Sequence, residues 1–250
     1  MKRIVPGIHS VTEVFRVRPK AITELWLREG DLRDDLNVFY LEAQKKHIKV
    51  KRVSQAGLDR QVATHQGVIA FVDGGPPWPT GRELNGFKEG LILALDHIED
   101  PHNVGSIMRS AWNLGVLGVI LTKDRSAGLA PSAQKVASGA FEHVPITEVA
   151  NLHAELKALQ DAGFWVYGLD ESATQAIHEV EFAPKSILVI GSEEMGLRKP
   201  TLSACDATLA IPQSEGSNSF NAAVAGAIAG YEFLRQRNLS INPKNSRKKL

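Results

Sequence analysis

The chain has 250 residues and a formal net charge of +1, so it can form one large domain or two smaller ones with a substantial core. Its apolar runs are shorter than the roughly 20 residues that span a bilayer, and its first ten residues lack the apolar segment of a secretory signal. Its single cysteine, Cys205, excludes an intrachain disulfide and favours a reducing, cytoplasmic location. We therefore expect a cytoplasmic globular protein with no membrane segment.

The charges are distributed unevenly along the chain. Basic residues exceed acidic residues in 1–74 and in 241–250, whereas acidic residues are in excess between these segments. A basic end can bind a polyanion such as RNA, although a solvated surface and a disordered tail explain the same distribution. In the first segment Lys49, Lys51 and Arg52 are candidates for phosphate contacts, and a half-exposed strand accounts for them equally well.

Residues 1–74 alternate helical and strand patterns. Helical spacing occurs in HSVTEVFRV and LRDDLNVFYLEAQKKH, and strands are predicted for ITELWL, IKVKRV and GVIAFV. The following stretch, VDGGPPWPTGRELNG, is dense in glycine and proline and is predicted to contain neither a helix nor a central strand. We therefore predict a small α/β domain at 1–74, a linker at 75–88, a second domain at 89–240 and a disordered basic tail at 241–250.

The second domain repeats apolar runs separated by helical segments. The runs are LILALDHI, VLGVILT, FWVYGLD, SILVIGS and ATLAIPQ. Continuous apolar strands between helices are typical of an α/β fold whose parallel sheet is covered on both faces. Binding sites in such folds lie at the carboxyl ends of the strands, so the residues that follow each run are the candidates for function.

Several common catalytic signatures are missing from the sequence. It has no G-x-G-x-x-G after the first strand of the second domain, no phosphate-binding G-x-x-x-x-G-K-[ST], no H-E-x-x-H, no C-x-x-C and no G-x-S-x-G. The histidines are scattered, so we expect no metal site. Because no basic residue is adjacent to Cys205, we expect this cysteine to be a small buried side chain rather than a nucleophile.

The first polar cluster is LDHIEDPHNVGSIMRSAWNLG, at 95–115. Asn103 is predicted to cap the helix that follows Pro101. Arg109 lies on the polar face of this helix. Because an arginine is costly to bury without an anionic partner, Arg109 either faces solvent or points into a site that binds an anion. The pattern alone leaves both interpretations open.

The second cluster is LVIGSEEMGLR, at 188–198. Gly191 and Gly196 permit close approach of the backbone to a ligand. Glu193 and Glu194 are predicted to begin a helix, where the helix dipole favours carboxylates. That structural explanation is sufficient for this cluster when it is considered by itself.

The third cluster is AIPQSEGSNSFNAAVAGAIAGYEF, at 210–233. A loop of small polar residues precedes a helix predicted to begin near Ser219 or Phe220. Gly226 and Gly230 are four residues apart on this helix, and we expect their small side chains to let another backbone pack very close. The polar head of the cluster is the candidate for chemistry.

In their order and spacing, the three clusters resemble the signature motifs of the SpoU (TrmH-like) family of SPOUT RNA 2′-O-ribose methyltransferases. They match D-x-x-x-D-P-x-N-x-G-x-x-x-R-x-A, then G-x-E-x-x-G, then I-P followed by S-x-N. The matching residues are Asp96, Asp100, Pro101, Asn103, Gly105, Arg109, Ala111, Gly191, Glu193, Gly196, Ile211, Pro212, Ser219 and Asn221. The segments GIHSVTEVF and HQGVIAFV are similar to the RNA-binding domain of the bacterial 23S rRNA guanosine 2′-O-methyltransferase branch.

The resemblance implies a C-terminal α/β domain with a deep trefoil knot that binds S-adenosylmethionine, acts as a homodimer, needs no metal and methylates RNA, most closely 23S rRNA. A tRNA or antibiotic-resistance ribose methyltransferase remains an alternative, as does a non-catalytic RNA-binding protein of the same fold. The positions implied for catalysis are Asn103, Arg109, Glu193, Ser219 and Asn221, and those implied for cofactor binding are Gly191, Ile211 and Phe220. At Phe220 the family usually has leucine, so the cofactor pocket is expected to differ slightly.

The family's proposed base falls on Arg109. A guanidinium stays protonated in proteins and is therefore a poor base. We hypothesise instead that Arg109 binds a phosphate or stabilises the alkoxide that develops on the ribose. Asn103 and Glu193 would orient it, and Ser219 and Asn221 would position the loop on the cofactor side.

Overall fold

In the computed structural model, which describes residues 2–216 and 218–237, the chain forms two sheets. The N-terminal sheet has four strands in the order β1-β4-β2-β3, in which only the β2–β3 pair is parallel. Its elements, in chain order, are β1 (Lys2–Pro6), α1 (Ile8–Val17), β2 (Ile22–Arg28), α2 (Asp34–Lys45), β3 (Val50–Val53), α3 (Gln55–Asp59) and β4 (Val68–Asp73). The sequence pattern did not predict β1 or α3.

The core of the N-terminal unit lies between this sheet and two of its helices. On α1, Val11 and Val14 are fully buried, and on β2, Leu25 and Leu27 alternate inward with the period of two that a half-buried strand requires. Phe39 of α2 closes the same apolar cluster. Periodicity therefore predicted these elements correctly, because each buries one face only.

The predicted linker contains a helix, α4 (Gly81–Gly86). Thr80 and Glu83 form a reciprocal capping box, in which the Thr80 side chain accepts from the Glu83 N–H and the Glu83 carboxylate accepts from the Thr80 N–H. The expectation that this stretch contains no helix was wrong, because the local capping pair outweighs the surrounding glycines and prolines.

The C-terminal sheet has six strands, all of them parallel, in the order β10-β8-β9-β5-β6-β7. The strands are β5 (Gly90–Asp96), β6 (Gly118–Thr122), β7 (Ile146–Val149), β8 (Trp165–Leu169), β9 (Lys185–Gly191) and β10 (Ala207–Leu209). The helices are α5 (Pro101–Leu114), α6 (Pro131–Ala137), α7 (Leu152–Asp161), α8 (Lys199–Ala204) and α9 (Ala222–Gln236). All five predicted strands are present, and β7 is an additional one.

Helices cover both faces of the C-terminal sheet. Leu93 and Leu188 belong to the apolar cluster that includes residues of α5 and α9, whereas Ile92 and Ile187 point to the opposite cluster, which includes residues of α7. Burial on both faces explains why β5 and β9 are apolar at nearly every position. The predicted mainly parallel α/β sheet is therefore confirmed. No helix in the described part of the chain is both long enough and apolar enough to cross a membrane.

Buried charges join the two units. Glu142, in the short helical turn Ala140–Glu142, accepts from Arg3 of β1 at 2.7 Å and from Arg18 at 3.0 Å. The side chains of Arg3 and Glu142 are only 3% and 1% exposed. Because a carboxylate this deeply buried needs both partners to offset its desolvation, the ion network holds the N-terminal sheet against the C-terminal unit.

The predicted basic tail at 241–250 lies outside the described residues, as does the last part of the predicted second domain.

Candidate functional site

The first polar cluster lies where β5 ends and α5 begins. Asp100, rather than Asn103, caps α5: its carboxylate accepts from the His102 N–H at 2.8 Å, and Pro101 occupies the first helical position. The prediction that Asn103 is the cap was wrong. Asn103 lies within the first turn and is only 6% exposed, so its side-chain amide needs partners inside the protein.

Those partners come from the other two clusters. The amide of Asn103 donates to the Glu193 carboxylate at 2.9 Å and its carbonyl oxygen accepts from Asn221 at 2.8 Å. Asn221 also donates to Glu193. Three side chains that lie far apart along the chain therefore form one closed hydrogen-bonded triangle, which we call the Asn103–Glu193–Asn221 cluster.

Asn221 has a second role in the same position. Its side-chain oxygen accepts from the Ala223 N–H at 2.9 Å, so Asn221 is the N-cap of α9. The helix therefore begins at Ala222, slightly later than predicted. One amide thus starts α9 with its oxygen and joins the cluster with its nitrogen, which fixes the N-terminus of the helix over Glu193.

The segment that carries Glu193 is a tight turn rather than the start of a helix. Ser192 and Gly196 pair with each other through two backbone hydrogen bonds, at 2.9 and 3.2 Å, and the next helix, α8, does not begin until Lys199. The prediction that Glu193 and Glu194 begin a helix was therefore wrong. Since the turn ends at Gly196, which has a φ of 61°, it needs a residue that tolerates the left-handed region.

Gly191 is constrained by this turn. A Cβ at Gly191 would lie 2.3 Å from the carbonyl carbon of Gly196 and 2.6 Å from the backbone nitrogen of Leu197. The close contact at Gly191 is therefore with the protein's own backbone, and the expected approach to a ligand stays a prediction. Any side chain here would displace the turn that presents Glu193.

A second anchor holds the far end of the turn. Asp96, which is 1% exposed, accepts from the Arg198 N–H at 2.9 Å and pairs with His97 Nδ1 at 2.8 Å. The other ring nitrogen of His97 lies 2.7 Å from the Arg198 guanidinium. The motif matched Asp96, but sequence reasoning assigned no role to it or to its two partners. A buried acid directly after an apolar strand was the available signal.

The remaining catalytic candidates lie outside the cluster in the described part of the chain. Arg109 is exposed on α5, about 9 Å along the helix from Asn103 and roughly 120° around it. No hydrogen bond or ion pair connects Arg109 to another described residue, and the same is true of Ser219, which is also exposed. The expectation that Asn103 and Glu193 orient Arg109 directly is not met within one chain.

The cofactor candidates surround the same edge of the sheet. Phe220 is 40% exposed although it is a large apolar residue. Ile211, which follows β10, packs partly against the C-terminal core, and its backbone makes no hydrogen bond within residues 2–216 and 218–237. Free backbone groups just after β10 and an exposed aromatic ring next to Asn221 can hold a ligand that has both polar and apolar parts.

The glycines in the tail of the third motif, Gly226 and Gly230, pack against side chains. A Cβ at Gly226 would lie 2.6 Å from the Ile190 side chain, and one at Gly230 would lie 2.6 Å from the Leu114 side chain. The sequence had suggested that another backbone packs against these glycines. The close neighbours are instead side chains of β9 and α5. These glycines let α9 lie directly on the elements that carry the other two motifs.

The surroundings of Cys205 disfavour the thiolate that a nucleophile needs. Its Sγ donates to the Thr201 carbonyl at 3.4 Å, and burial, together with the nearby Asp206 and Asp96 carboxylates, raises the pKa of the thiol to about 12. Among the described residues no group of three or more histidine, cysteine, aspartate or glutamate side chains is placed to hold a metal ion.

The fold and the three converging motifs define an RNA methyltransferase of the SpoU type. The model of the SpoU rRNA Methylase family matches residues 90–231, and the model described as "RNA 2'-O ribose methyltransferase substrate binding" matches residues 4–78. The chain therefore belongs to the SpoU rRNA methylase family. The family resemblance seen in the motifs is confirmed.

Relatives and solved structures agree with this assignment. The chain is 37% identical over 238 residues to the 23S rRNA (guanosine-2'-O-)-methyltransferase RlmB of Pseudomonas aeruginosa, covering 93% of this chain and 96% of that protein. It is 33% identical to the putative TrmH family tRNA/rRNA methyltransferase YacO of Bacillus subtilis, covering 94% and 96%. The crystal structure of AviRb from Streptomyces viridochromogenes, in complex with AdoMet, has a similar fold, with a TM-score of 0.78, 24% identity and coverage of 94% and 90%.

Proposed function

We propose that this protein transfers a methyl group from S-adenosylmethionine to the ribose 2′-hydroxyl of a guanosine in 23S rRNA. The observation that carries the proposal is the Asn103–Glu193–Asn221 cluster, because it joins all three motifs of the SpoU family in one place. The relatives named as 23S rRNA guanosine methyltransferases, which match almost the whole chain, support the choice of RNA. Ribosomal RNA in the cytoplasm is the expected substrate.

The residues at this edge of the sheet fit S-adenosylmethionine. The free backbone groups of Ile211 can pair with its polar edge, and Phe220 offers an exposed ring to its apolar part. Glu193 adds a carboxylate that suits a positively charged sulfonium. When bound, the cofactor supplies an already activated methyl group, so the protein's own task is to align the ribose and to accommodate the proton that leaves.

We assign the alignment to the Asn103–Glu193–Asn221 cluster. Its hydrogen bonds fix the turn at 192–197 and the start of α9 relative to α5, so the two walls of the cofactor site keep one spacing. Ser219, which is exposed next to Asn221, is placed to donate to the ribose or the cofactor. Such preorganisation is how a positioned site lowers the barrier of a bimolecular reaction.

Arg109 is proposed to bind a phosphate of the RNA or the alkoxide that forms on the ribose. Its exposure and its lack of an ion-pair partner among the described residues leave the guanidinium available. We further propose that the protein is a homodimer in which Arg109 reaches its partner's site. Val224 and Tyr231 support this assembly, since both are large, exposed and seven residues apart on one face of α9, which packs beside α5.

We also propose the division into a substrate domain at 1–74, a linker at 75–88 and a methyltransferase domain at 89–240 that contains the family's trefoil knot. Knotted chains are rare, and the basis for the knot is membership of the SpoU family. The substrate domain would select the RNA. Of its three phosphate candidates, Arg52 donates to the Arg28 and Gly30 carbonyls and Lys49 pairs with Glu24. Lys51 has no acidic partner among the described residues and lies 4.7 Å from the centre of the Trp26 ring, so it is the best placed of the three.

The experiment uses purified protein, S-adenosylmethionine and unmethylated 23S rRNA. Arg109→Ala should abolish methyl transfer while calorimetry shows unchanged cofactor binding, whereas Arg82→Ala, on the exposed helix α4, should leave both unchanged. Arg109→Lys keeps the charge but loses the planar fork, so turnover near that of the wild type with a lower pH optimum would refute a positioning role. Absence of S-adenosylmethionine binding by the wild type would favour a non-catalytic RNA-binding protein.

A further inference from the structure

The N-terminal unit contains a cavity that the methyl-transfer site does not use. It has a volume of about 310 Å³ and lies where β2 ends, α2 begins and the loop at 60–67 returns to β4. Polar and cationic side chains line it above the apolar side chain of Leu36. They are Arg28, Arg33, Gln55, His65 and Gln66. The volume is at the lower end of the range of small-ligand sites, about 300–1,000 Å³, which suits a single nucleotide.

The polar wall of this cavity is held in one arrangement. His65 is buried, and its Nδ1 accepts from the Gly67 N–H at 2.8 Å, so the proton is on Nε2, which donates to Asp59 at 3.0 Å. The amide of Gln55 donates to the same carboxylate at 3.2 Å. A wall fixed by its own hydrogen bonds can recognise a ligand with little loss of side-chain entropy.

Arg28 is the cation without a partner in this wall. It is partly buried at the last position of β2, its backbone N–H pairs with Gly67, and its guanidinium makes no hydrogen bond or ion pair with any described residue. By contrast, Arg33 pairs with Asp35. A half-buried guanidinium that lacks an acid is suited to bind a phosphate in bidentate fashion.

The methyltransferase domain adds a second cation next to Gln66, one of the residues that line the cavity. Lys135, on α6, contacts the side-chain oxygen of Gln66, and no carboxylate pairs with it in the described chain. Burial lowers the pKa of its ammonium. The helix α6 packs tightly on α5, since a Cβ at Gly105 would lie 2.6 Å from the Ala133 carbonyl. Gly105 is two residues from Asn103, so Lys135 lies on a helix that packs against the helix that carries Asn103.

The backbone beside the cavity is strained. Gln66 has a φ of 55°, which is unusual for a residue with a side chain, and Gly67 follows at 90°. The strained conformation is held because the Gln66 side chain accepts from the Ile8 N–H at 3.2 Å as well as from Lys135. Strained residues of this kind cluster at ligand sites.

We propose that this cavity binds one nucleotide of the RNA substrate, other than the one that is methylated. Arg28 and Lys135 take its phosphate, Gln55 and Gln66 face the edge of its base, and Leu36 forms the floor. The inference rests on the proposed function, in which the substrate is RNA. The cationic lining favours a polyanion over a protein segment, and single-stranded RNA presents bases and phosphates that side chains can bind in this way.

The chain offers a matched control for the test. Lys20 is exposed and precedes β2, whereas Arg28 ends it, so the two cations are about 20 Å apart on the same domain. Arg28→Ala, Lys135→Ala and Lys20→Ala each remove one positive charge. The full-length protein is measured with a 23S rRNA transcript for KM, kcat and the dependence of RNA affinity on KCl, and with S-adenosylmethionine for cofactor affinity.

We expect Arg28→Ala and Lys135→Ala each to raise the KM for RNA about tenfold and to reduce the slope of log affinity against log salt by about one. The kcat and the cofactor affinity should stay unchanged, and Arg28→Lys should restore part of the affinity. Lys20→Ala should change the KM less than twofold. Equal effects of Arg28→Ala and Lys20→Ala, or a loss of kcat with unchanged KM, would overturn the cavity assignment alone. Failure of the wild type to methylate or bind the transcript would overturn the proposed function as well.

Discussion

Asn221→Ala removes both roles of this residue at once, the cap of α9 and the link to the cluster. It removes the N-cap of α9, which is worth about 1 kcal/mol for an asparagine. It also removes the donor to the Glu193 carboxylate, and a hydrogen bond to a charged group is worth about 1.5–3 kcal/mol. Because Asn221 is exposed, we take the lower value. The free energy of unfolding should therefore fall by at least about 2.5 kcal/mol, since the hydrogen bond that Asn221 donates to the Asn103 side-chain oxygen is lost as well.

Asn151→Ala provides the matched control. Asn151 caps α7 by accepting from the Ala154 N–H at 3.1 Å, and it has no part in the cluster. This variant should lose only about 1 kcal/mol and keep full methyl transfer. Asn221→Asp should retain the cap but place a second carboxylate against Glu193, so it should lose cofactor affinity while α9 stays formed.

The assay combines urea unfolding with calorimetric titration of S-adenosylmethionine. Asn221→Ala should weaken cofactor binding at least tenfold, because the turn at 192–197 is no longer tied to α9. If Asn221→Ala and Asn151→Ala lose the same stability and both bind the cofactor as the wild type does, the Asn103–Glu193–Asn221 cluster has no role in positioning the site.

Three further outcomes follow from the structure. The pKa of the Cys205 thiol is raised from 9.0 to about 12, so at pH 8 the thiolate fraction of the folded protein should be roughly a thousandfold below that of the unfolded chain. Ellman's reagent should therefore label Cys205 quickly only in urea. Rapid labelling of the folded protein would contradict this. The raised thiol pKa opposes folding with a charged Cys205, so this residue's effect on the free energy of unfolding is constant below pH 9, and the protein loses stability as the pH rises from 9 towards 12. Glu142→Ala should lower the free energy of unfolding by about 3–5 kcal/mol because it leaves two arginines uncompensated. Glu42→Ala, which removes a carboxylate from exposed pairs with Lys45 and Lys46, should leave the urea midpoint almost unchanged, and equal midpoints for the two variants would contradict the buried network. Gly191→Ala should reduce cofactor affinity more than tenfold by displacing the turn, and Gly81→Ala, which has open space around it, should not; calorimetry decides between them.

The sheets could be predicted largely from hydrophobic periodicity. The five strands predicted in the C-terminal unit are all present, since central parallel strands are apolar at nearly every position. The pattern failed for β7, where four half-buried residues at Ile146–Val149 give no strong signal. It also failed for β1, which is short and ends in Pro6, and for α4, whose capping pair was obscured by neighbouring glycine and proline.

The composition of the candidate site was predicted in part, and its geometry was not. The motifs identified Asn103, Glu193 and Asn221, but these residues are separated by 28 to 118 positions, and only the folded sheet brings them together. Local pattern also assigned Glu193 to a helix, because a turn closed by two backbone hydrogen bonds leaves no periodic trace. The exposure of Arg109 could not be decided from an amphipathic pattern, since solvent and an anion site both favour a charged face.

The interface between the two units was equally hidden. Arg3 and Glu142 are ordinary charged residues in the sequence, and nothing in their neighbours indicates that both are buried. Long-range ion pairs depend on how two units dock, which residue spacing does not encode. The cavity beside Arg28 has the same origin, because β2, α2 and the loop at 60–67 meet only in the folded unit.

The most direct test of the central claim is to locate the methyl group. Purified protein is incubated with isotopically labelled S-adenosylmethionine and unmethylated 23S rRNA or tRNA, and the labelled nucleoside is identified by mass spectrometry after digestion. We predict label in 23S rRNA, confined to a guanosine as 2′-O-methylguanosine, and none with Arg109→Ala. Label on a base, label in tRNA alone, or no label in any RNA would contradict this prediction.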